Sequence, residues 1–159
     1  MTTLALCGFF ALFPPKARVY VFVLEECPIA RKYAPELRRI EAEYGKRGVS
    51  FAMVHVDPFT TPNSVKQFQK DFDIDMPQVM DPKQELARKA GITNVPSVAV
   101  YVGDRAAYSG RIDDRFPRLG VQRKAPTRKD LRIALDEILA GKPVSLPKTQ
   151  SIGCALPTL

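Results

Sequence analysis

Cys27 is followed at once by Pro28. It stands where a β-branched, aromatic run (Arg18 to Leu24, RVYVFVL) gives way to apolar residues at helical spacing. A cysteine at such a strand-to-helix junction lies where open α/β sheets place their sites. As the residue capping the helix, it would face backbone N–H groups without partners and the positive end of the helix dipole. Both favour thiolate over thiol, and the thiolate is the nucleophile of disulfide exchange. Glu25 and Glu26 oppose that effect, and Arg31, one turn along, compensates. A lone cysteine is most often a small buried hydrophobe; two glutamates at the helix start instead predict a sulfur partly open to water.

The other chemistry-bearing residues are few. The chain has three cysteines (Cys7, Cys27, Cys154) and one histidine, His55. That is too few, too widely spaced, for a zinc site or a disulfide scaffold, and no Cys/His dyad is indicated. Neither a metal nor any other cofactor is expected. His55 falls in a buried-strand pattern and reads as a core or strand-end histidine satisfied by hydrogen bonds. Asp113, Asp114 and Arg115 read as a charged loop, solvated or locally ion-paired.

A net charge of +7 is concentrated at Arg115, Arg118, Arg123, Lys124, Arg128 and Lys129. A basic surface attracts nucleic acid, anionic lipid or acidic protein. With no aromatic-interleaved recognition motif beside it, nucleic acid is not an expected partner.

The elements that must position Cys27 follow from the hydrophobic pattern. After the first strand, Ile29, Tyr33, Leu37, Ile40 and Tyr44 form a helical stripe closed by Gly45 and Gly48. Pro28 suits the first helical position, and Pro35 predicts a kink. Val49 to Val56 is a second buried strand. Thr61-Pro62 opens a helix with Val65, Phe68 and Phe72 inward, and Met76 to Met80 is a short third strand. Asp81-Pro82 starts a helix carrying Leu86 and Ala87 that ends at Gly91. Val95 to Val102 and Ala106 to Ile112 form a hairpin about Gly103-Asp104. Thr127 and Asp130 predict a capping box for a last helix with Leu131, Ala134, Leu135 and Ile138 inward.

The order β-α-β-α-β-α-β-β-α predicts an α/β fold, a central mixed sheet with helices on both faces. Residues 1–17 read as an apolar lead-in or signal remnant, 18–140 as the domain and 141–159 as a tail. The first thirteen residues lack a basic n-region and an A-x-A-like cleavage site, and Leu4-Ala5-Leu6-Cys7 only loosely resembles a lipoprotein box. A run of ~10 apolar residues is too short to span a bilayer.

Cys27-Pro28-Ile29-Ala30, with Ala34-Pro35 further along the same helix, resembles the active-site helix of thioredoxins. Gly91-Ile92-Thr93-Asn94-Val95-Pro96-Ser97, leading into a hairpin, resembles the thioredoxin loop that carries a cis-proline. The region 58–75 and the Gly110–Arg115 segment are similar to the bacterial redoxin branch of the alkyl-hydroperoxide-reductase/thiol-specific-antioxidant (AhpC/TSA) superfamily. The resemblance covers about Arg18 to Ala140 and implies a thioredoxin fold. It also implies a thiol-disulfide oxidoreductase or a thiol peroxidase acting on a protein thiol or disulfide, or on a peroxide, and favours an extracytoplasmic bacterial setting.

Carried over residue by residue, the resemblance makes Cys27 the nucleophile and Pro96 the cis-proline. The backbone of Val95 becomes the edge that pairs with an extended substrate. The sequence departs from thioredoxins at Ala30, where they have a second cysteine, and from peroxiredoxins at Leu24, where they have Thr or Ser. The first departure removes the usual resolving thiol; the second counts against peroxidase chemistry. Cys154 is the candidate resolving thiol, and similar Gly-Cys tails belong to this redoxin branch. Its link to the last helix spans roughly 40 Å when extended, comparable to the diameter of a domain this size. Cys7 is the lesser alternative. A reading of a different class is a redox-inactive module that binds a protein through the Pro96 groove and the basic loop.

Overall fold

The computed structural model describes residues 15–159. Strand β1 (Ala17–Val23) is the middle of a five-stranded sheet of order β3-β2-β1-β5-β6. It pairs in parallel with β2 (Val49–His55), which pairs in parallel with β3 (Gln78–Met80). On its other side it runs antiparallel to β5 (Ser97–Val102), hairpin partner of β6 (Arg105–Gly110). Central position explains the β-branched run: Val21 faces Met53 on one side and Val98 on the other, all fully buried.

Helix α1 (Pro28–Gly45) buries Ala30, Tyr33, Ala34, Leu37, Ile40 and Tyr44, and Pro35 lies inside it without ending it. With α4 (Asp130–Leu139), which buries Leu131, Ala134 and Leu135, it covers one face of the sheet. Phe68 of α2 (Pro62–Phe72) joins the same core. The smaller core on the other face is built from Phe22, Val54, Ala99 and Ile92, with Ala87 of α3 (Glu85–Lys89) and the tail residues Cys154 and Leu156. Leu86, next to Ala87 on α3, is 38% exposed.

One local expectation differs from the structure. The capping box belongs to α2, where the Ser64 N–H donates to Thr61 Oγ1 (3.1 Å) and the Thr61 N–H to Ser64 Oγ (3.0 Å). At α4 the cap is Lys129 without a side-chain bond. The Thr127 hydroxyl is instead drawn to Asp114, while the Asp130 carboxylate takes 2.7 Å hydrogen bonds from Arg111 and Arg128. These strong bonds to buried carboxylates turn the Thr127 and Asp130 side chains away from the N–H groups that a capping box would satisfy. The charged loop is locally ion-paired, the second of the two readings its sequence allowed: Arg115 pairs with Asp113 at 3.8 Å and Arg123 with Asp114 at 2.6 Å, both aspartates are buried, and Tyr33 donates to Asp113 at 2.5 Å.

The strand expected over 95–102 is split at Pro96. Its first part, β4 (Asn94–Val95), leaves the main sheet and pairs antiparallel with β7 (Cys154–Ala155). The tail thus returns to the domain. Thr149 N–H donates to Ser109 O (3.0 Å), and Gly110, at φ +148, permits that approach because a Cβ there would overlap Thr149.

Candidate functional site

Cys27 caps α1 with an extended backbone, and its N–H donates to Leu24 O at 3.0 Å. The turn before it is fastened by a buried polar cluster. His55, with no exposed surface, places Nδ1 2.6 Å from Glu25 Oε1 and Nε2 2.6 Å from Gln78 Oε1, and Thr60 donates to Glu25 at 3.1 Å. Because the Gln78 amide N–H is committed to Met76 O (2.6 Å), its oxygen is the atom that faces the ring. Glu25 is therefore a paired, largely buried acid rather than an exposed one, whereas Glu26 lies outside with Arg31 at 3.5 Å.

The Cys27 sulfur is not partly open to water as its sequence neighbours suggest. Cys27 is 2% exposed. Tertiary contacts account for the difference: Cys154 and Ile152 of the tail pack on the same core, and Cys154 Sγ lies 2.6 Å from Cys27 Sγ. On the other side Cys27 Sγ is 3.6 Å from the carbonyl oxygen of Val95. The Val95–Pro96 bond is cis, and Ala30 is buried beneath the helix start. Among the described residues, Cys27, Val95, Pro96 and Cys154 therefore meet at one place. Cys7 lies outside the described residues, as does the apolar lead-in through residue 13.

The tail's final approach depends on Gly153. A Cβ at that position would overlap the Val95 carbonyl and crowd the Pro96 ring. The strand beyond is held by the register pairs Val95↔Cys154 and Asn94↔Ala155, and the Leu156 N–H donates to Thr93 O at 3.2 Å. Before it, the Ser97 and Ser151 hydroxyls share a 2.7 Å hydrogen bond. After it, the buried Gln84 amide donates to Val56 O (3.2 Å) and Pro157 O (2.9 Å). Burial, aided by the hydrogen bond and charge of the adjoining Cys27 sulfur, pushes the Cys154 thiol up to about 12. Its S–H, donated to Cys27, keeps its proton at neutral pH.

Sequence reasoning missed Gly153, Gln84, Ser97 and Ser151 as site-builders. The one available signal was glycine directly before the tail cysteine. Gln84, in the left-handed region at φ 54, gives no sequence cue. No group of three or more His, Cys, Asp or Glu residues among those described is arranged to hold a metal ion, and no described helix is long and apolar enough to cross a membrane.

A mixed sheet with a helix-capping cysteine beside a cis-proline loop defines the thioredoxin-like class of α/β folds. The chain belongs to the AhpC/TSA family, whose model matches residues 15–108. That match ends before the tail. An uncharacterized conserved protein from Geobacillus kaustophilus is similar over 91% of this chain and 78% of its own (28% identity, TM-score 0.78). A hypothetical protein from Sinorhizobium meliloti is similar over 90% and 80% (27% identity, TM-score 0.77). A thiol:disulfide interchange protein of the thioredoxin family from Chlorobium tepidum shares the fold over 78% and 80% (20% identity, TM-score 0.57). No curated protein matches the chain in sequence.

Proposed function

We propose that this chain is a thiol-disulfide oxidoreductase in which Cys27 and Cys154 cycle between dithiol and disulfide. The observation that carries this reading is the 2.6 Å approach of two sulfurs separated by 127 residues. Membership of the AhpC/TSA family, and a thiol:disulfide interchange protein among its structural relatives, agree with it.

In the reducing direction, the Cys27 thiolate attacks one sulfur of a substrate disulfide R–S–S–R′. A bond forms between Cys27 and that sulfur, and R′–S⁻ leaves with the electron pair. Cys154, having lost its proton, then attacks Cys27 Sγ. The Cys27–Cys154 bond forms, R–S⁻ leaves, and the enzyme is oxidised by two electrons as the substrate is reduced by two. Cys154 fills the resolving role that Ala30 vacates. Its raised pKa fits it to act second, once movement of the tail relieves the desolvation that holds the proton on it. Leu24, packed apolar against both cores, offers no hydroxyl to orient a peroxide, so disulfide exchange is favoured over peroxide reduction.

The test is insulin reduction with a dithiol donor, paired with a mass measurement of the oxidised chain. The expected result is a Cys27–Cys154 disulfide in the wild type and loss of insulin reduction in Cys27→Ser. Insulin reduction unchanged in Cys27→Ser overturns the reading.

A further inference from the structure

The tail lies on the domain as an extended peptide would. It forms a short antiparallel ladder on the Asn94–Val95 edge, continues into the Leu156 bond to Thr93, and is held at each end by a side chain of the domain, Ser97 before and Gln84 after. Main-chain pairing of this kind accepts most sequences, because both partners contribute only backbone groups. One position is different. The residue before the cysteine lies against the Val95 carbonyl and the Pro96 ring, and any Cβ there overlaps that oxygen. Proline has no N–H to continue the ladder, so the chain closes in at this point and only glycine fits.

We propose that this edge is a peptide-binding groove selective for an extended protein segment with glycine immediately before its cysteine, occupied in the resting chain by its own tail. The proposal rests on the reading of Cys27 as the nucleophile. A partner must displace Ser151–Pro157 to bring its sulfur to Cys27. Two further features of the tail describe that partner: an apolar side chain two residues before the cysteine, as Ile152 packs on the main core, and another two residues after it, as Leu156 packs on the second core.

The test uses the full chain in a Cys7→Ser/Cys154→Ser background, leaving Cys27 as the one thiol. The probes are the heptapeptide Ser-Ile-Gly-Cys-Ala-Leu-Pro and the same peptide with alanine before its cysteine, each joined through its cysteine to thionitrobenzoate. The Cys27 thiolate attacks the peptide sulfur, the Cys27–peptide disulfide forms, and the coloured thionitrobenzoate leaves with the electron pair. The glycine peptide is expected to react at least about tenfold faster, the discrimination that one unaccommodated methyl group supports. Adding Gly153→Val, which expels the tail, is expected to speed the glycine peptide and preserve the ratio.

Equal rates for the two peptides overturn the selectivity while leaving Cys27 a nucleophile. Rates no faster than free cysteine for both peptides, in the parent and with Gly153→Val added, overturn the reading of Cys27, and the groove with it. An unchanged rate on adding Gly153→Val to a folded chain overturns the tail as occupant. If that variant does not fold, the peptide ratio in the parent background decides the proposal.

Discussion

Val95 and Cys154 are antiparallel register partners, and the carbonyl oxygen of Val95 also lies 3.6 Å from the Cys27 sulfur. One backbone unit thus holds the tail and touches the helix-capping cysteine. The two sulfurs meet because both elements are referenced to the same residue.

Removing the second thiol should trap the first step. Cys154→Ala treated with glutathione disulfide is expected to accumulate one glutathione on Cys27, whereas the wild type should discharge it and form the internal disulfide. Intact mass before and after peptide mapping distinguishes the two, and an adduct that persists equally in both proteins counts against a resolving role for Cys154.

Gly153→Val should separate the sulfurs without altering either. Overlap with the Val95 carbonyl forces the tail off the Asn94–Val95 edge. A loss of ~1–3 kcal/mol of docking energy corresponds to roughly five- to 150-fold slower closure of the Cys27–Cys154 disulfide. In the reduced variant, Cys27 should alkylate faster than in the wild type.

Alkali should loosen the tail of the reduced protein. The Cys154 pKa rises from 9.0 unfolded to about 12 folded, so the folded state favours the protonated thiol. The stability this contributes is complete below pH 9 and is lost as pH rises through about 12. Amide exchange at Leu156 should therefore accelerate more steeply over this range in the wild type than in Cys154→Ser, measured on the same pH series. Parallel profiles would remove Cys154 as the titrating group.

Acid should act on a different segment. Asp114 is buried; that penalty is outweighed by the Thr127 hydroxyl, the Arg128 and Thr127 N–H groups and Arg123, which together lower its pKa to about 2. Its contribution is present above pH 3.8 and disappears as pH falls through about 2. Asp114→Asn should lower Tm at pH 7 and flatten the fall in Tm between pH 4 and pH 2, read by calorimetry.

The buried acid beside the site predicts a large stability effect. His55→Leu leaves Glu25 and Gln78 without their 2.6 Å partners. Stranding a buried carboxylate in this way costs ~3–5 kcal/mol. The companion Glu25→Gln/His55→Leu should recover part of it in a denaturant titration, since a neutral amide is cheaper to bury than a charge.

The order of elements, the central strand and the inward stripe of α1 were legible because buried residues must repeat with the period of their own element, a property of neighbours along the chain. The place of Cys27 as the cap of α1 was legible in the same way, from the strand before it and Pro28 after it. The capping box assigned to Thr127 shows where such reasoning stops. Local chemistry allowed it, but Asp114, thirteen positions away, offered the hydroxyl a better partner.

Whether Cys27 is open or covered, and where Cys154 lies, were decided by tertiary structure alone. Chain length permitted the tail to reach many places. What selects this one is a set of contacts between residues far apart in sequence: Gly153 against Val95, Ser151 against Ser97, Pro157 against Gln84. Each is a short-range steric or hydrogen-bonding fit, and a linear sequence carries no record of which distant surfaces come within that range.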